Sequence, residues 1–289
     1  MRSWLFVPGD SPRKIEKAFG TEADVLILDL EDSVAPDRKA EARQLVKAAI
    51  ANDPGRVAVR INALSTGLAE ADLDAVAPAG PAIIVLPKSE RGADVGELSA
   101  HLSVREAEAG LPDGATKIMA IATETPQSLF HLGNYGGVSD RLRALAWGAE
   151  DLSASLGATR LRRPDGAFTE TFALARTLCL AGAHAAGALP LDTVHTDLAD
   201  EDGLRNEATA AAADGFLGKM AIHPAQVSII NQAFTPPPAA VEEARRIVEA
   251  FADAPDVGVL AVGGQMVDRP HLVKAQRLLR RMEELERRS

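Results

Sequence analysis

Charged side chains in this chain recur directly after short apolar runs. "DVLILDLED" ends in Asp29, Glu31 and Asp32, "VAVRIN" ends in Arg60 and Asn62, and "AIIVLPK" ends in Lys88, with Glu90 just beyond. "KIMAIATETP" carries Glu124, "LRALAWGAED" carries Glu150 and Asp151, "LPLDTVHTD" carries Asp192, and "GKMAIHP" carries His223. Carboxylates gathered at one mouth repel each other unless positive charge sits among them. Arg60, Lys88 and a divalent cation are the candidates. The six histidines are scattered, with no H-x-x-x-H or H-x-H pair, which disfavours zinc. Hard carboxylate oxygens suit Mg2+, which takes one or two protein carboxylates plus water and substrate oxygens. Glu124 and Asp151 both follow apolar runs directly and form the best metal pair. Arg60 has the forked geometry for a substrate carboxylate; a salt bridge to the acids of the second run is an equal alternative. Asp151 can cap the helix that follows it, hold the metal, or do both. Gly148 and Glu150 shape that turn, where free backbone N–H groups could meet a substrate carboxylate.

These residues need a scaffold that brings strand exits together. "WLFVP" is the first of eight apolar runs, and the seven quoted above complete the set. The segments between them are mostly Ala-rich with helix-spaced apolar residues, such as "DRKAEARQLVKAAIA" and "DGAFTETFALARTLCLAGAHAAG". Runs that are apolar throughout read as strands buried on both faces of a parallel sheet. Eight strand–helix units in this length predict an α/β fold, a closed (β/α)8 (TIM) barrel over residues 1–235, with catalytic groups at the C-terminal strand ends. A C-terminal helical extension is expected over 236–289. It opens with a helix after "TPPP", continues through a turn or hairpin at "GVLAVGGQMVDRP", and closes with a helix over about 271–288. An open dinucleotide-binding sheet is disfavoured, because "FVPGDSPRK" lacks G-x-G-x-x-G. "GFLGKM" resembles a P-loop only superficially.

Composition narrows the function classes. The 289 residues are 46% hydrophobic and carry a net charge of −10, which argues against a nucleic-acid partner. No apolar run is long enough to span a membrane, and "MRSWLFVPGDSPRK" lacks a signal-peptide core. The single cysteine, Cys179, lies in an apolar helix-like stretch and reads as a buried hydrophobe. A cytoplasmic setting is expected.

Taken together, "RSWLFVPGDSPRKIEKA", "ADVLILDLEDSVAPDRKAEAR", "VRIN", "LPKSE", "GAEDLSASLG" and "GFLGKMAIHPAQVSIINQAFTP" resemble the citrate lyase β-subunit-like group of the HpcH/HpaI aldolase superfamily. The resemblance runs from residue 2 to about 270. It implies a (β/α)8 barrel and Mg2+-dependent cleavage of a 3-hydroxyacyl-CoA of the citryl-, malyl- or citramalyl-CoA type into an acyl-CoA and an α-keto acid. It also implies Glu124 and Asp151 as metal ligands and Arg60 as the carboxylate-binding arginine. Phe6, Arg13, Lys17, Ile222 and His223 fall at positions around the CoA ester. Asp268 in "GQMVD" matches a catalytic carboxylate supplied from the neighbouring subunit of a homotrimer or hexamer. One departure is "ETPQS", where the group often reads E-T-A-R-G; Pro126 there suits a helix start.

Other readings remain open at this point. They are an aldolase acting on free hydroxy-keto acids, a malyl-CoA thioesterase or malate synthase-like activity, and an acyl-binding subunit of a larger lyase complex. Asp29, Glu31 and Asp32 read as groups that fix Arg60 or metal-bound water, and Lys88 as a substrate contact or a neutraliser of these acids.

Overall fold

The structure, a computed structural model, describes residues 1–287. Eight parallel strands close into a barrel in the order β1 to β8, with β1 paired to both β2 and β8. The strands are β1 (Ser3–Pro8), β2 (Val25–Asp29), β3 (Val57–Arg60), β4 (Ile83–Leu86), β5 (Lys117–Ile121), β6 (Leu142–Ala146), β7 (Leu189–Asp192) and β8 (Gly218–Ala221). Alternate strand residues point inward and pack as one apolar core: Val25 and Ile27, Ile83 and Val85, Met119 and Ile121, Ala144 and Ala146, closed by Trp4 and Met220. The intervening strand residues, such as Leu26, Leu28, Ile84 and Leu145, are equally buried, against the outer helices. This two-sided burial is why the strands read as unbroken apolar runs.

The helices around this barrel are α1 (Pro12–Phe19), α2 (Lys39–Ile50), α3 (Ala69–Val76), α4 (Gly92–Ala109), α5 (Ala149–Leu156), α6 (Glu170–Ala185), α7 (Glu201–Asp214) and α8 (Gln226–Ala233). The β5–β6 connection departs from the pattern. Pro126 starts a short 3-10 turn, Gln127–Phe130, followed by another at Leu132–Asn134, and no α-helix forms. Gly133, Gly136 and Gly137 crowd this segment and weaken any helix. It is also pressed against α4, where a Cβ on Gly92 would lie 2.3 Å from the Asn134 carbonyl oxygen.

The chain forms two compact units, Met1–Gln232 and the residues from Ala233 onward; the sequence places the division at 235/236. The second unit contains α9 (Pro238–Asp253), the antiparallel hairpin β9 (Val259–Val262) and β10 (Gln265–Asp268), and α10 (Arg269–Glu286). Gly263 and Gly264 both take positive φ, as a tight two-residue hairpin turn requires. Ala244, Ile247, Phe251, Val267 and Ala275 form its own small core. The helix expected to reach residue 288 ends at Glu286, and positions 288 and 289 lie outside the described residues. No described helix is long and apolar enough to cross a membrane.

Candidate active site

Neighbouring strands set the first pair of charges. Asp29 and Arg60 are the last residues of β2 and β3 and are partners in the parallel register. Arg60 therefore meets Asp29 edge to edge, with Nε to Oδ1 and Nη2 to Oδ2 both 2.7 Å. The third nitrogen, Nη1, lies 3.1 Å from Glu31 Oε2, and the guanidinium sits 4.8 Å from the centre of the Phe6 ring. Asp29 also accepts from the backbone N–H groups of Glu31 and Ser33, which fixes the loop after β2. Burial works to raise its carboxyl, but the Arg60 bond and charge and these N–H groups hold it below the usual range. The salt bridge left open by the sequence thus forms. The Nε/Nη2 edge of Arg60 is engaged by Asp29 and Nη1 faces Glu31, so a ligand carboxylate would share Nη1 with Glu31.

The second group of charges comes from β4, β5 and β6. Glu124 lies three residues past the end of β5 and is buried. One of its oxygens accepts from the backbone N–H of Lys88. Lys88 Nζ reaches Glu31 at 2.5 Å, Asp32 at 3.4 Å and Asp151 at 3.7 Å. Burial and the neighbouring charge of Asp151, helped by Glu31, push the Glu124 carboxyl up to about 8. Glu31 is likewise raised, by its own burial against the pull of Arg60 and Lys88.

Gly148 explains how Asp151 and Glu124 share this space. It is the N-cap of α5, with no side-chain cap bond, and Glu150 and Asp151 stand in the first turn. Asp151 is therefore not the cap; it is an acid favourably placed at a helix N-terminus. A Cβ at Gly148 would lie 2.6 Å from Glu124 Cγ, so the close approach needs glycine.

A cavity of about 440 Å3 opens above these groups. Five carboxylates line it, Asp29, Asp32, Glu124, Glu150 and Asp151, against one guanidinium, Arg60. Phe6, Gly148 and Ile222 line it as well, so these three expected ligand contacts join Arg60 and the two metal candidates in one place. Ile121 on β5, Met220 on β8, and Thr193 and Val194 just after β7 also line it; as residues of ordinary type they carried no chemical signal in the sequence. Arg13 and Lys17 lie outside the lining, one helical turn apart on the exposed face of α1. His223 is exposed in the loop after β8, where its Nδ1 accepts from Ala225 N–H at 3.2 Å. Asp268 belongs to the second unit. It caps α10, with Oδ1 2.5 Å from His271 Nδ1 and its side chain 39% exposed.

The donor set suits a hard divalent cation. A buried carboxylate and a neighbouring acid, Glu124 and Asp151, repel one another beside an open cavity, a situation that positive charge relieves. Among the described residues no three His, Cys, Asp or Glu side chains converge as a closed cage. Two carboxylates with room for water and substrate oxygens are what Mg2+ uses, and a zinc cage is not formed.

Asp192 has a different role. It is fully buried and accepts from Trp147 Nε1 at 2.7 Å and Lys219 Nζ at 2.9 Å, tying the ends of β6, β7 and β8 together. Lys219 also binds Glu207, which accepts from Arg162 and lies 3.0 Å from His195 Nδ1. Cys179 is buried too, and burial pushes its thiol upward, so it is not a nucleophile at neutral pH.

Residues 2–224 match the HpcH/HpaI aldolase/citrate lyase family. The chain belongs to this family. Within the HpcH/HpaI group it is 38% identical over 278 residues to a citrate lyase subunit beta-like protein of Mycobacterium tuberculosis, covering 96% of this chain and 94% of that one. It is 37% identical to a (3S)-malyl-CoA thioesterase of Cereibacter sphaeroides, covering 98% and 94%. The crystal structure of CitE from M. tuberculosis in complex with magnesium, acetoacetate and coenzyme A superposes with a TM-score of 0.79 at 37% identity, covering 98% of both chains. The CitE structure shares the barrel described above.

Proposed function

We propose that this protein is a Mg2+-dependent carbon–carbon lyase that cleaves a 3-hydroxyacyl-CoA into an acyl-CoA and an α-keto acid. The observation that carries this reading is the Glu124–Asp151 pair, held over Gly148 at the mouth of a cavity otherwise rich in carboxylates. The CitE relative in complex with magnesium and coenzyme A supports the choice of ion and of thioester. Glu124 and Asp151 would hold the Mg2+ ion, which would supply Lewis acidity at this end of the cavity.

The chain's own residues do the rest. Arg60 Nη1 and the uncapped first-turn N–H groups of α5 orient the substrate carboxylate. Asp29 and Glu31 lock the Arg60 side chain so that this donor is fixed before substrate arrives. Phe6 and Ile222 pack on the acyl portion, while Arg13, Lys17 and His223 form the exposed rim that meets the CoA moiety. A general base accepts the 3-hydroxyl proton as that carbon becomes the keto carbonyl. The adjacent carbon–carbon bond breaks, and its electron pair becomes the acyl-CoA enolate. Asp268, acting on the site of a neighbouring subunit in a trimer or hexamer, exchanges the proton at the enolate carbon. Its hydrogen bonds from the His271 ring and backbone hold it below the usual carboxylate range.

The test is a product assay with Mg2+ and citryl-, malyl-, methylmalyl- and citramalyl-CoA. Acyl-CoA and keto acid in equal amounts are expected from at least one. Folded protein that leaves all four intact contradicts the proposal. The malyl-CoA thioesterase relative favours a second reading, hydrolysis of the thioester. Free malate and CoA without glyoxylate would establish that outcome instead.

A further inference from the structure

Lys88 is the one non-glycine residue among those described with positive φ, at 51°. Left-handed backbone is disfavoured for a residue with a Cβ and persists where its surroundings fix it. Here the conformation lets one residue touch both carboxylates of the proposed metal pair, through different ends. The backbone N–H of Lys88 donates to Glu124 Oε2. The side chain turns to the other acids, firmly to Glu31 Oε1 at 2.5 Å and more loosely to Asp32 at 3.4 Å and Asp151 Oδ1 at 3.7 Å.

We propose that Lys88 is a positioning residue that tunes metal affinity: its N–H fixes Glu124, and its ammonium group serves Asp151 as a resident cation that an incoming divalent ion must displace. The inference rests on the reading of Glu124 and Asp151 as the metal ligands.

The graded distances support displacement rather than a static pair. The Asp151 contact is beyond hydrogen-bond length, so it can be given up while the Glu31 contact stays. The Lys88 side chain is 32% exposed and Asp32 is 57% exposed, so the ammonium group has a solvated partner to move toward. An ammonium group and a divalent ion sharing Asp151 repel each other, so the lysine lowers metal affinity. It also relieves repulsion among Glu31, Asp32 and Asp151 when no metal is bound.

Lys88→Gly tests this cleanly. Glycine accepts the positive φ and keeps the backbone N–H to Glu124 while deleting the ammonium group. Titration calorimetry with MgCl2 on metal-free protein should show Lys88→Gly binding about tenfold more tightly than wild type. Its Tm without metal should fall below wild type, and saturating Mg2+ should close most of that gap. Lys88→Arg, which keeps a cation, should return affinity toward the wild-type value. Equal or weaker Mg2+ binding by folded Lys88→Gly would overturn the inference while leaving the metal pair intact. Wild-type protein that binds no Mg2+ would overturn the metal pair itself, and this inference with it.

Discussion

Two glutamates at the barrel's edge, one buried and one half-buried, behave in opposite ways. Glu124 faces Asp151 and Glu31, accepts one backbone N–H, and is pushed up to about 8. Glu207 on α7 is half-buried, and Lys219, His195 and Arg162 surround it and draw it down to about 2 against the pull of that burial. Burial has one sign in both places. The difference is how much positive charge the fold itself supplies. Glu207 has its cations built in and ties Lys219 on β8 to α7. Glu124 is placed by Gly148 beside another acid, which costs stability unless something positive binds there. Glu207 also lines a cavity, so the contrast lies in the pairing: an acid set beside another acid is a candidate functional group, whereas a saturated network is a candidate structural one.

Replacing the two kinds of acid should separate function from fold. The largest effect is expected at the cavity: Glu124→Gln and Asp151→Asn should each lower lyase turnover by about 10^3-fold or more. The same Glu124→Gln change should raise the Tm of metal-free protein at about pH 9 and leave it unchanged near pH 4. A carboxyl raised in the folded state loses stability as pH rises from its ordinary value to about 8, and the amide does not titrate. A lower Tm at both pH values would show that Glu124 holds the fold as Glu207 does.

Lys219→Met should do the reverse. Removing one partner of a buried ion pair costs about 3–5 kcal/mol, which corresponds to a fall in Tm of about 10 °C for a chain of this size. Mg2+ affinity should stay within about twofold. A Tm within about 2 °C of wild type would show that Lys219 does not hold this region.

The smallest effect is a pH signature. Because the Glu207 carboxyl is lowered in the folded state, its contribution to stability is full above the ordinary glutamate value of 4.5 and is lost as pH falls through about 2. Urea unfolding of wild type should therefore show a steeper loss of stability over pH 4.5–2 than Glu207→Gln. Parallel pH profiles would contradict the assignment.

The barrel was legible in the sequence because its strands are buried on both sides, and that leaves unbroken apolar runs. Glu124, Asp151, Gly148 and Arg60 were legible because each follows such a run closely. What Arg60 does with its fork was not, since the Asp29 partnership depends on β2 and β3 lying side by side in register. The Glu207 network was missed because its members come from distant segments. Glu207 reads as an ordinary solvated residue in an Ala-rich helix, and Lys219 as part of a false phosphate motif. A signal was present in Lys219 itself, a lysine inside an apolar strand, which demands buried acids. The β5–β6 connection lost its helix to glycines that the helix-start signal at Pro126 outweighed on paper. The left-handed Lys88 leaves no trace in residue type, because lysine is not a residue that favours that conformation.

The most direct measurement is Mg2+ titration of metal-free protein at pH 7 in two buffers of different ionisation enthalpy, with Glu124→Gln beside wild type. Wild type should show one saturable site that releases about one proton per ion, because Glu124 must ionise to bind. Glu124→Gln should show no such site. Wild-type binding without proton release, or equal binding in the variant, would contradict the claim that Glu124 at the barrel mouth holds the metal.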